Sequence, residues 1–273
     1  MIDSDNLERD LIEKPVPTFS HPAPSESADS FLGGRLWLRQ AVQGHRAGTD
    51  ALLLAAAAPG DYSGLVIDVG AGVGAAGLAL AVTRPHSCVA LLEKDSSAAA
   101  YARANLIENG LAGRGFVAEA DLVSGPSRRK AGLDEESAGL VLTNPPFFDP
   151  GRTRLSPDRA KRCAHAMPAS GPQALADWIA AALALVAPGG MFILIHRPEA
   201  LTVILDSLAR RVGAITLLPV HPRQALPAGR ILMRGTKGSR APLSIAPPLF
   251  LHDEKGFTAQ AEAIHRNAQP IPW

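Results

Sequence analysis

Cysteine, aromatic side chains and a charge excess of one sign are all scarce in this sequence of 273 residues. Its two cysteines, Cys88 and Cys163, lie far apart, which excludes a disulfide scaffold and a cysteine-based zinc site and fits a reducing cytoplasm. The 27 basic and 26 acidic residues give a formal net charge of +1, so bulk charge does not indicate a nucleic-acid partner. The longest apolar stretch, residues 174–195, contains Asp177 and a Pro-Gly-Gly break, so no membrane span is expected.

Motifs of several enzyme classes are also absent. The sequence contains no G-x-x-x-x-G-K-[ST] phosphate loop and no G-x-S-x-G nucleophile elbow, and its eight histidines form no H-x-x-x-H pair. No basic segment followed by an apolar run opens the chain, so no signal peptide is expected. We therefore expect a cytoplasmic protein without a bound metal.

Short apolar runs alternate with helix-like segments from residue 65 onward. Runs typical of buried strands occur at 65–69, 88–92, 116–120, 139–143 and 191–195. Helices are expected at 75–83, 96–109 and 172–187. This alternation predicts an α/β fold with a doubly wound, mostly parallel sheet, and the later runs 214–220 and 230–235 predict an antiparallel pair at its edge.

Composition divides the chain into four expected regions. Residues 1–30 are rich in Pro and Ser and strongly acidic, which predicts a disordered tail. Residues 31–60 predict a hairpin or edge strand followed by a helix that begins at Thr49-Asp50 and packs on the next region. Residues 61–250 form the expected catalytic domain, and residues 251–273 form a C-terminal extension with a polar helix at 257–267.

Polar and glycine residues follow four of the predicted strands. Ligands of open parallel sheets bind outside the carboxyl ends of the strands, so these residues should share one rim. They are Asp68 with Gly70, Gly72 and Gly74 after the first strand, Glu93 after the second, Asp121 after the third, and Asn144-Pro145-Pro146-Phe147 after the fourth.

The glycine loop by itself permits two cofactor classes. Gly72, Gly74 and Gly77 fit G-x-G-x-x-G with Glu93 downstream, a pattern also typical of NAD-binding oxidoreductases. However, Asp68 lies within an apolar strand, where a buried carboxylate favours a cationic ligand group. The ammonium and sulfonium groups of S-adenosylmethionine (SAM) would suit it.

The tetrapeptide Asn144-Pro145-Pro146-Phe147 is the most informative motif. Two prolines fix a rigid turn, which leaves the Asn144 carboxamide and the Pro145 carbonyl free to accept hydrogen bonds. Two acceptors match the two N–H groups of an amide or of an exocyclic base amine, and Phe147 offers a stacking surface. Nicotinamide enzymes have no use for such a motif.

These segments together resemble class I SAM-dependent methyltransferases that carry an N-P-P-[YF] motif. The resemblance rests on VIDVGAGVG at 66–74, LLEKD at 91–95, EAD at 119–121, TNPPFF at 143–148 and PGG at 188–190. The stretches at 34–58 and 144–160 are similar to the bacterial tRNA (valine) adenine-N6 methyltransferase family. The resemblance implies a Rossmann-like, seven-stranded sheet with antiparallel edge strands.

The resemblance also implies a role for each residue. The methionine part of SAM would be held by the glycine loop and Asp68, its ribose by Glu93 and its adenine by Asp121, with Thr49 and Asp50 nearby. Asn144, Pro145 and Phe147 would orient the amine that receives the methyl group. Ordinary structural roles also fit: a helix cap for Asp121, a solvated acid for Glu93 and an N-cap for Thr49-Asp50.

Basic residues suggest an RNA partner, with tRNA as the first expectation. One run directly follows the N-P-P-F motif: Arg152, Arg154, Arg159, Lys161 and Arg162. A second lies between 221 and 240: Arg223, Arg230, Arg234, Lys237 and Arg240. The alternatives are methylation of guanine N2 in rRNA or of a protein glutamine, an NAD-binding oxidoreductase, and a non-catalytic RNA-binding module.

Overall fold

A computed structural model describes residues 26–42, 46–146 and 171–273. Within these residues the chain forms one large sheet, covered by helices on both faces, and one separate hairpin. No helix of these three ranges is long and apolar enough to cross a membrane.

Eleven strands occur in the described ranges. In chain order they are β1 (Glu26–Phe31), β2 (Leu36–Ala41), β3 (Gly64–Val69), β4 (Ser87–Glu93), β5 (Gly115–Glu119), β6 (Ala138–Thr143), β7 (Val186–His196), β8 (Val212–Arg223), β9 (Arg230–Lys237), β10 (Ser244–Ile245) and β11 (Leu249–His252). The five predicted parallel strands and the predicted antiparallel pair are all present, so these expectations are confirmed.

Seven α-helices occur in the same ranges: α1 (Thr49–Ala56), α2 (Ala75–Thr83), α3 (Ser96–Glu108), α4 (Gly125–Lys130), α5 (Pro172–Leu185), α6 (Leu201–Leu208) and α7 (Ala259–Asn267). Side-chain caps begin three of them: Asp95 accepts from the Ala98 N–H of α3, Ser124 from the Ser127 N–H of α4 and Thr258 from the Ala261 N–H of α7. Helix α5 ends at Leu185, earlier than predicted, because Val186 already has an extended backbone and opens β7.

The large sheet has the order β10-β8-β9-β7-β6-β3-β4-β5, and β11 also pairs with β8. Strands β3 to β7 are mutually parallel, whereas β9 runs antiparallel to both β7 and β8. The chain crosses from one side of β3 to the other between β5 and β6. This is the topological switch point at which open sheets bind ligands.

The sheet has nine strands, two more than the seven implied by the resemblance. The additional strands β10 and β11 are short and lie parallel to the outer edge of β8. An open strand edge exposes hydrogen-bonding groups that favour unwanted pairing, and these two segments cover it. The extra strands therefore complete the predicted sheet and do not alter its core order.

The hairpin begins earlier than predicted, which corrects the boundary of the expected tail. Residues 26–30 belong to β1, which pairs with β2 from Glu26 opposite Ala41 to Phe31 opposite Leu36. Their acidic and polar composition suggested disorder, but backbone pairing and the bond from the Gln40 amide to Asp29 (2.6 Å) hold them in place. Residues 1–25 lie outside the described part of the chain.

Helices cover both faces of the large sheet. One apolar core lies between the sheet and α1, α2, α3 and α7, and a second lies between the opposite face and α5 and α6. Successive residues of β3 alternate between them, with Val66 in the first core and Ile67 in the second. The buried strands are apolar on both faces for this reason, as the sequence predicted.

Candidate functional site

A cavity of about 850 Å³ opens at the carboxyl ends of the parallel strands. Three groups of predicted residues line it: residues 70–73 with Asp68, the acids Glu93 and Asp121, and residues 144–146. Thr49 and Asp50 at the start of α1 complete the wall. The structure thus brings together most of the predicted site, while the role of each residue stays a prediction.

The glycine loop, residues 70–74, turns sharply from β3 into α2. Gly70, Gly72 and Gly74 all have positive φ angles (69°, 56° and 90°), which favour glycine. A Cβ atom on Gly72 would meet nothing within 4 Å, so its backbone faces open space. Gly74 does not line the cavity, because it packs behind the loop, where a Cβ atom would lie 2.8 Å from Leu91 Cδ1.

Asp68 lies at the floor of the cavity and is almost fully buried, with 3% of its surface exposed. Its Oδ2 accepts a hydrogen bond of 2.7 Å from the Gly77 N–H at the start of α2. Burial raises the pKa of Asp68 to about 7; the Gly77 bond lowers it and the nearby Glu93 charge raises it further. A cationic group in the cavity would favour the ionised carboxylate.

Glu93 braces the glycine loop from the end of the neighbouring strand. Its Oε2 accepts from the Gly72 N–H (2.8 Å), and its Oε1 accepts from the N–H groups of Lys94 and Asp95 (2.8 Å each). The resemblance implies that Glu93 binds the ribose of SAM, and a solvated surface acid is the ordinary alternative. The structure shows a contact that neither interpretation included, because this carboxylate holds the backbone of the loop.

Asp121 forms an ion pair with Lys94, with 2.6 Å between Oδ2 and Nζ. Its Oδ1 also accepts from the Val123 N–H (3.2 Å), so Asp121 stabilises the turn after β5. Both side chains line the cavity. Because the Lys94 side chain is 53% exposed, water screens this pair, which leaves the carboxylate free to exchange partners. Lys94 stands in the LLEKD motif at 91–95, but no role was predicted for it.

The turn of residues 144–146, here called the acceptor turn, closes the other side of the cavity. Asn144 Oδ1 is buried and has no hydrogen-bond partner among the described residues. Such an orphaned acceptor is costly unless a ligand supplies a donor. The residue before it, Thr143, donates to the Val69 carbonyl (3.0 Å) and accepts from Trp178 Nε1 (2.9 Å).

Arginines that the sequence did not assign to the cavity lie at its mouth. Arg230 Nε pairs with Asp50 Oδ2 at 2.8 Å, although 180 residues separate them in the chain. Arg46 also lines the cavity and pairs with Asp29 of the hairpin. Thr49 Oγ1 lies 3.1 Å from His265 Nε2 of α7, so both predicted residues at the start of α1 make tertiary contacts.

Part of the predicted acceptor site cannot be placed. Phe147 and the first basic run (Arg152, Arg154, Arg159, Lys161, Arg162) lie outside the described residues. The second run does not form one patch, which corrects the prediction. Arg230 lies at the cavity, whereas Lys237, at the other end of β9, donates to the Leu183 and Val186 carbonyls (3.1 and 2.7 Å).

The residues present fit SAM as a ligand. A loop with exposed backbone, a buried carboxyl at the floor and two further carboxylates on the wall provide acceptors for a molecule with an ammonium group, a ribose and an adenine amine. Asn144, whose buried Oδ1 has no hydrogen-bond partner among the described residues, lines the same cavity. The arrangement can therefore hold a cationic methyl donor beside a methyl acceptor that carries N–H groups.

Comparison with known proteins agrees with this geometry. Residues 43–212 match the family model described as the methyltransferase small domain. The chain is 36% identical over 115 residues to a tRNA1(Val) (adenine(37)-N6)-methyltransferase of Erwinia tasmaniensis, a match that spans 42% of this chain and 45% of that protein. It thus spans less than half the length of that relative.

Two other similarities cover more of the molecule. The protein of the same name from Aeromonas hydrophila is 30% identical over 196 residues, which span 71% of this chain and 77% of that one. A crystal structure from Agrobacterium tumefaciens, titled as a predicted O-methyltransferase, has a TM-score of 0.67 at 30% identity and covers 82% of this chain and 98% of that one. The chain therefore belongs to the methyltransferase small domain family, and it is a class I methyltransferase whose cofactor is S-adenosylmethionine.

Proposed function

We propose that this enzyme transfers a methyl group from SAM to the exocyclic amine of a base in RNA, with adenine N6 of a tRNA as the first acceptor. The observation that carries the proposal is the orphaned Asn144 Oδ1 in the wall of the cofactor cavity. A buried oxygen without a donor favours a substrate that brings an N–H group.

The acceptor turn suits an amine better than a hydroxyl. An exocyclic amine carries two N–H groups, and Asn144 Oδ1 together with the Pro145 carbonyl would accept one bond from each. A hydroxyl acceptor has only one hydrogen to donate. Accepting both amine hydrogens draws the nitrogen lone pair out of conjugation with the ring, which makes the nitrogen a better nucleophile.

Bound SAM supplies an electrophilic methyl group on a sulfonium that leaves as a neutral thioether. Since that leaving group is good, the acceptor nitrogen loses its proton to solvent after attack, and no strong base is required. The chain contributes orientation and proximity, which are worth several kcal/mol when the reacting atoms are aligned. Phe147 would stack on the base, which offsets the cost of taking it out of its stack.

We assign cofactor binding to the acids and glycines of the cavity. Asp68 would face the ammonium group, Glu93 the ribose and Asp121 the adenine amine after Lys94 moves aside. The backbone of the glycine loop would lie against the methionine part, most directly at Gly72, where a Cβ atom would meet nothing within 4 Å. Thr49 and Asp50 would border the cofactor at the start of α1.

Support for an RNA acceptor comes from charge and from the relatives. The curated relatives are named for adenine N6 methylation of a valine tRNA. The basic run at 152–162 would contact the phosphate backbone. We infer a cytoplasmic enzyme, because such an RNA is found there.

The decisive experiment identifies the methylated nucleoside. Unmodified total RNA is incubated with the protein and labelled SAM, digested to nucleosides and separated by mass, and N6-methyladenosine is the expected product. If N2-methylguanosine is found instead, the acceptor base is guanine and not adenine. If the label is found in a protein glutamine, the acceptor is a protein and not RNA. An absence of label in RNA contradicts the proposed acceptor.

Asn144→Ala is the matched test of the acceptor turn. Loss of methylation by more than ~100-fold is expected, in line with the loss of an orienting hydrogen bond in other active sites. The dissociation constant of SAM should stay within about threefold, because the proposal assigns Asn144 to the acceptor amine and not to SAM. Unchanged methylation would remove Asn144 from the mechanism.

A further inference from the structure

Trp178 of α5 lies between the glycine loop and the acceptor turn, and it lines the cavity that both segments share. No motif in the sequence singled it out. It follows the 147–170 segment in the chain, yet its ring contacts the end of β3. Trp178 therefore contacts both the segment proposed to bind SAM and the segment proposed to bind the acceptor amine.

A chain of two hydrogen bonds connects Trp178 to the ends of β6 and β3. The indole Nε1–H donates to Thr143 Oγ1 (2.9 Å), and the Thr143 hydroxyl donates to the Val69 carbonyl (3.0 Å). Thr143 and Val69 are direct partners in the sheet, and each is the last residue before one wall of the cavity. The threonine hydroxyl has one hydrogen, which it donates to the Val69 carbonyl. In its hydrogen bond with Trp178 the hydroxyl is therefore the acceptor, and the indole N–H is the donor.

The indole ring also fills the space beside Gly70. A Cβ atom on Gly70 would lie 2.7 Å from Trp178 Cζ2 and 2.9 Å from Cη2, closer than any unstrained contact. The glycine is therefore required by the ring as well as by its φ of 69°. The ring fixes the first residue of the glycine loop, while its nitrogen fixes the residue before Asn144.

We propose that Trp178 is a positioning residue, which holds the glycine loop and the acceptor turn at the separation needed for methyl transfer. This inference rests on the proposed function, because it assumes that Asn144 orients the acceptor. Misplacement by about 1 Å can cost a factor of about 100 in rate, so a rigid spacer between the two walls has a direct effect on turnover.

Trp178→Phe and Thr143→Val test the hydrogen-bond chain while keeping most of the packing. We expect kcat to fall ~10-fold or more in each variant, with KM for RNA and the dissociation constant of SAM within about threefold. The double variant should lose no more than the worse single variant, because both changes break one chain. Trp37→Phe is the control, since Trp37 donates to Gly34 in the hairpin, and its kcat should not change.

A fluorescence measurement tests the same placement without RNA. In a Trp37→Phe, Trp273→Phe protein, Trp178 is the sole indole. SAM alone should shift its emission, because the ring lies against Gly70 in the cofactor cavity. A protein that keeps only Trp37 should show no shift. Thermal unfolding of every variant confirms that the measured protein is folded.

The outcomes separate the two proposals. If the wild-type protein methylates no RNA, the proposed function is wrong, and the kcat comparison is made with the acceptor that the labelling experiment finds. If Trp178→Phe turns over at the wild-type rate, or if the losses of the two variants multiply, Trp178 is no positioning residue and the proposed function stands. An emission of Trp178 that does not respond to SAM also overturns the placement.

Discussion

At the scale of single residues, the cavity floor carries a carboxyl group that is not fully ionised at neutral pH. Asp68 is buried, its pKa is raised to about 7, and one of its oxygens accepts from a backbone N–H. Such a group favours a cationic ligand over a neutral one, because the ligand restores the charge that burial suppresses. The buried acid therefore makes the empty site costly and the cofactor complex favourable.

The free protein should lose stability through Asp68 as the pH rises from about 4 to about 7. In that window the carboxyl ionises in the unfolded chain but stays protonated in the folded one, so the unfolded state binds fewer protons. Relative to Asp68→Asn, the free energy of unfolding should fall by up to ~4 kcal/mol across the window. Urea unfolding at several pH values measures it, and parallel pH profiles would contradict the raised pKa.

Cofactor binding should release a proton from Asp68 near neutral pH. Calorimetry at pH 6.5 in buffers of different ionisation enthalpy should show proton release in the wild type and less in Asp68→Asn. The affinity for SAM should rise as the pH increases towards 7, because the free carboxyl ionises there. An equal proton count in the two proteins would show that Asp68 does not respond to the ligand.

Glu93 should contribute strongly to cofactor affinity, and its sheet neighbour should not. Glu93→Ala should weaken SAM binding ~10- to 100-fold, because a charge-assisted hydrogen bond is worth about 1.5–3 kcal/mol. The matched control is Glu119→Ala, which lies opposite Glu93 on β5 but pairs with Arg103 at the surface. Glu93→Gln should lose less than Glu93→Ala, since its oxygen can still accept from the Gly72 N–H. Equal affinities in all these proteins would exclude the role.

At the scale of elements, side chains at the C-terminal end of α3 form hydrogen bonds with the backbone of the hairpin. The Asn105 and Asn109 side chains each bond both backbone groups of a β2 residue, Arg39 and Trp37 respectively, at 2.7–3.0 Å. Asn105 is fully buried and also donates to the Val73 carbonyl of the glycine loop (2.9 Å). One helix face thus connects the N-terminal hairpin to the cofactor cavity.

Asn105→Ala should therefore affect stability and cofactor binding together. Removing its amide leaves buried backbone groups without partners, at ~1–3 kcal/mol each, so the free energy of unfolding should fall by ~3 kcal/mol or more. Hydrogen exchange of the β1–β2 amides should speed up, and SAM affinity should fall because Val73 loses its donor. The exposed Asn267→Ala is the control, with a change within ~0.5 kcal/mol. Unaltered exchange in the hairpin would show that Asn105 does not hold the hairpin against α3.

At the scale of the whole molecule, the C-terminal extension closes onto the first helix of the domain. Buried Arg84 donates to the carbonyls of Ala58 and Pro59 after α1 and of Ala268 after α7 (2.9–3.1 Å). Trp273 donates to the Ala57 carbonyl (3.2 Å), and Arg234 lies 4.5 Å from the centre of its ring. The C-terminal end of α1, the helix that begins with Thr49 and Asp50, thus contacts a residue more than 200 positions away in the chain.

Arg84→Met should release this extension. The substitution keeps apolar volume but removes the donors to three carbonyls, so we expect a loss of roughly 3 kcal/mol or more in the free energy of unfolding. Limited proteolysis should cut the region after residue 256 faster than in the wild type. The exposed Arg129→Met on α4 serves as control and should leave both unchanged. Resistance equal to that of the wild type would show that Arg84 does not hold the extension.

Local patterns were sufficient to predict the parallel strands, the antiparallel pair and the positions of the strand ends. Apolar runs of five residues between capped helices have one consistent arrangement, a sheet covered on both faces. Because parallel strands end at one rim, the sequence also predicted that Gly70, Glu93, Asp121 and Asn144 would meet. It missed β1, since the polar residues 26–30 are held by pairing with β2 and not by burial of apolar surface.

The sequence by itself determined which chemical groups stand at the strand ends, because that depends only on period and order along the chain. The tertiary structure alone decided which distant side chains join them, Trp178 beside Gly70 and Arg230 against Asp50. It also left the Asn144 oxygen without a donor among the described residues. It also decided the surroundings of the two ends of β9, with Arg230 in the cavity wall and Lys237 against the Leu183 and Val186 carbonyls. Such contacts depend on packing across the fold, which no local spacing encodes.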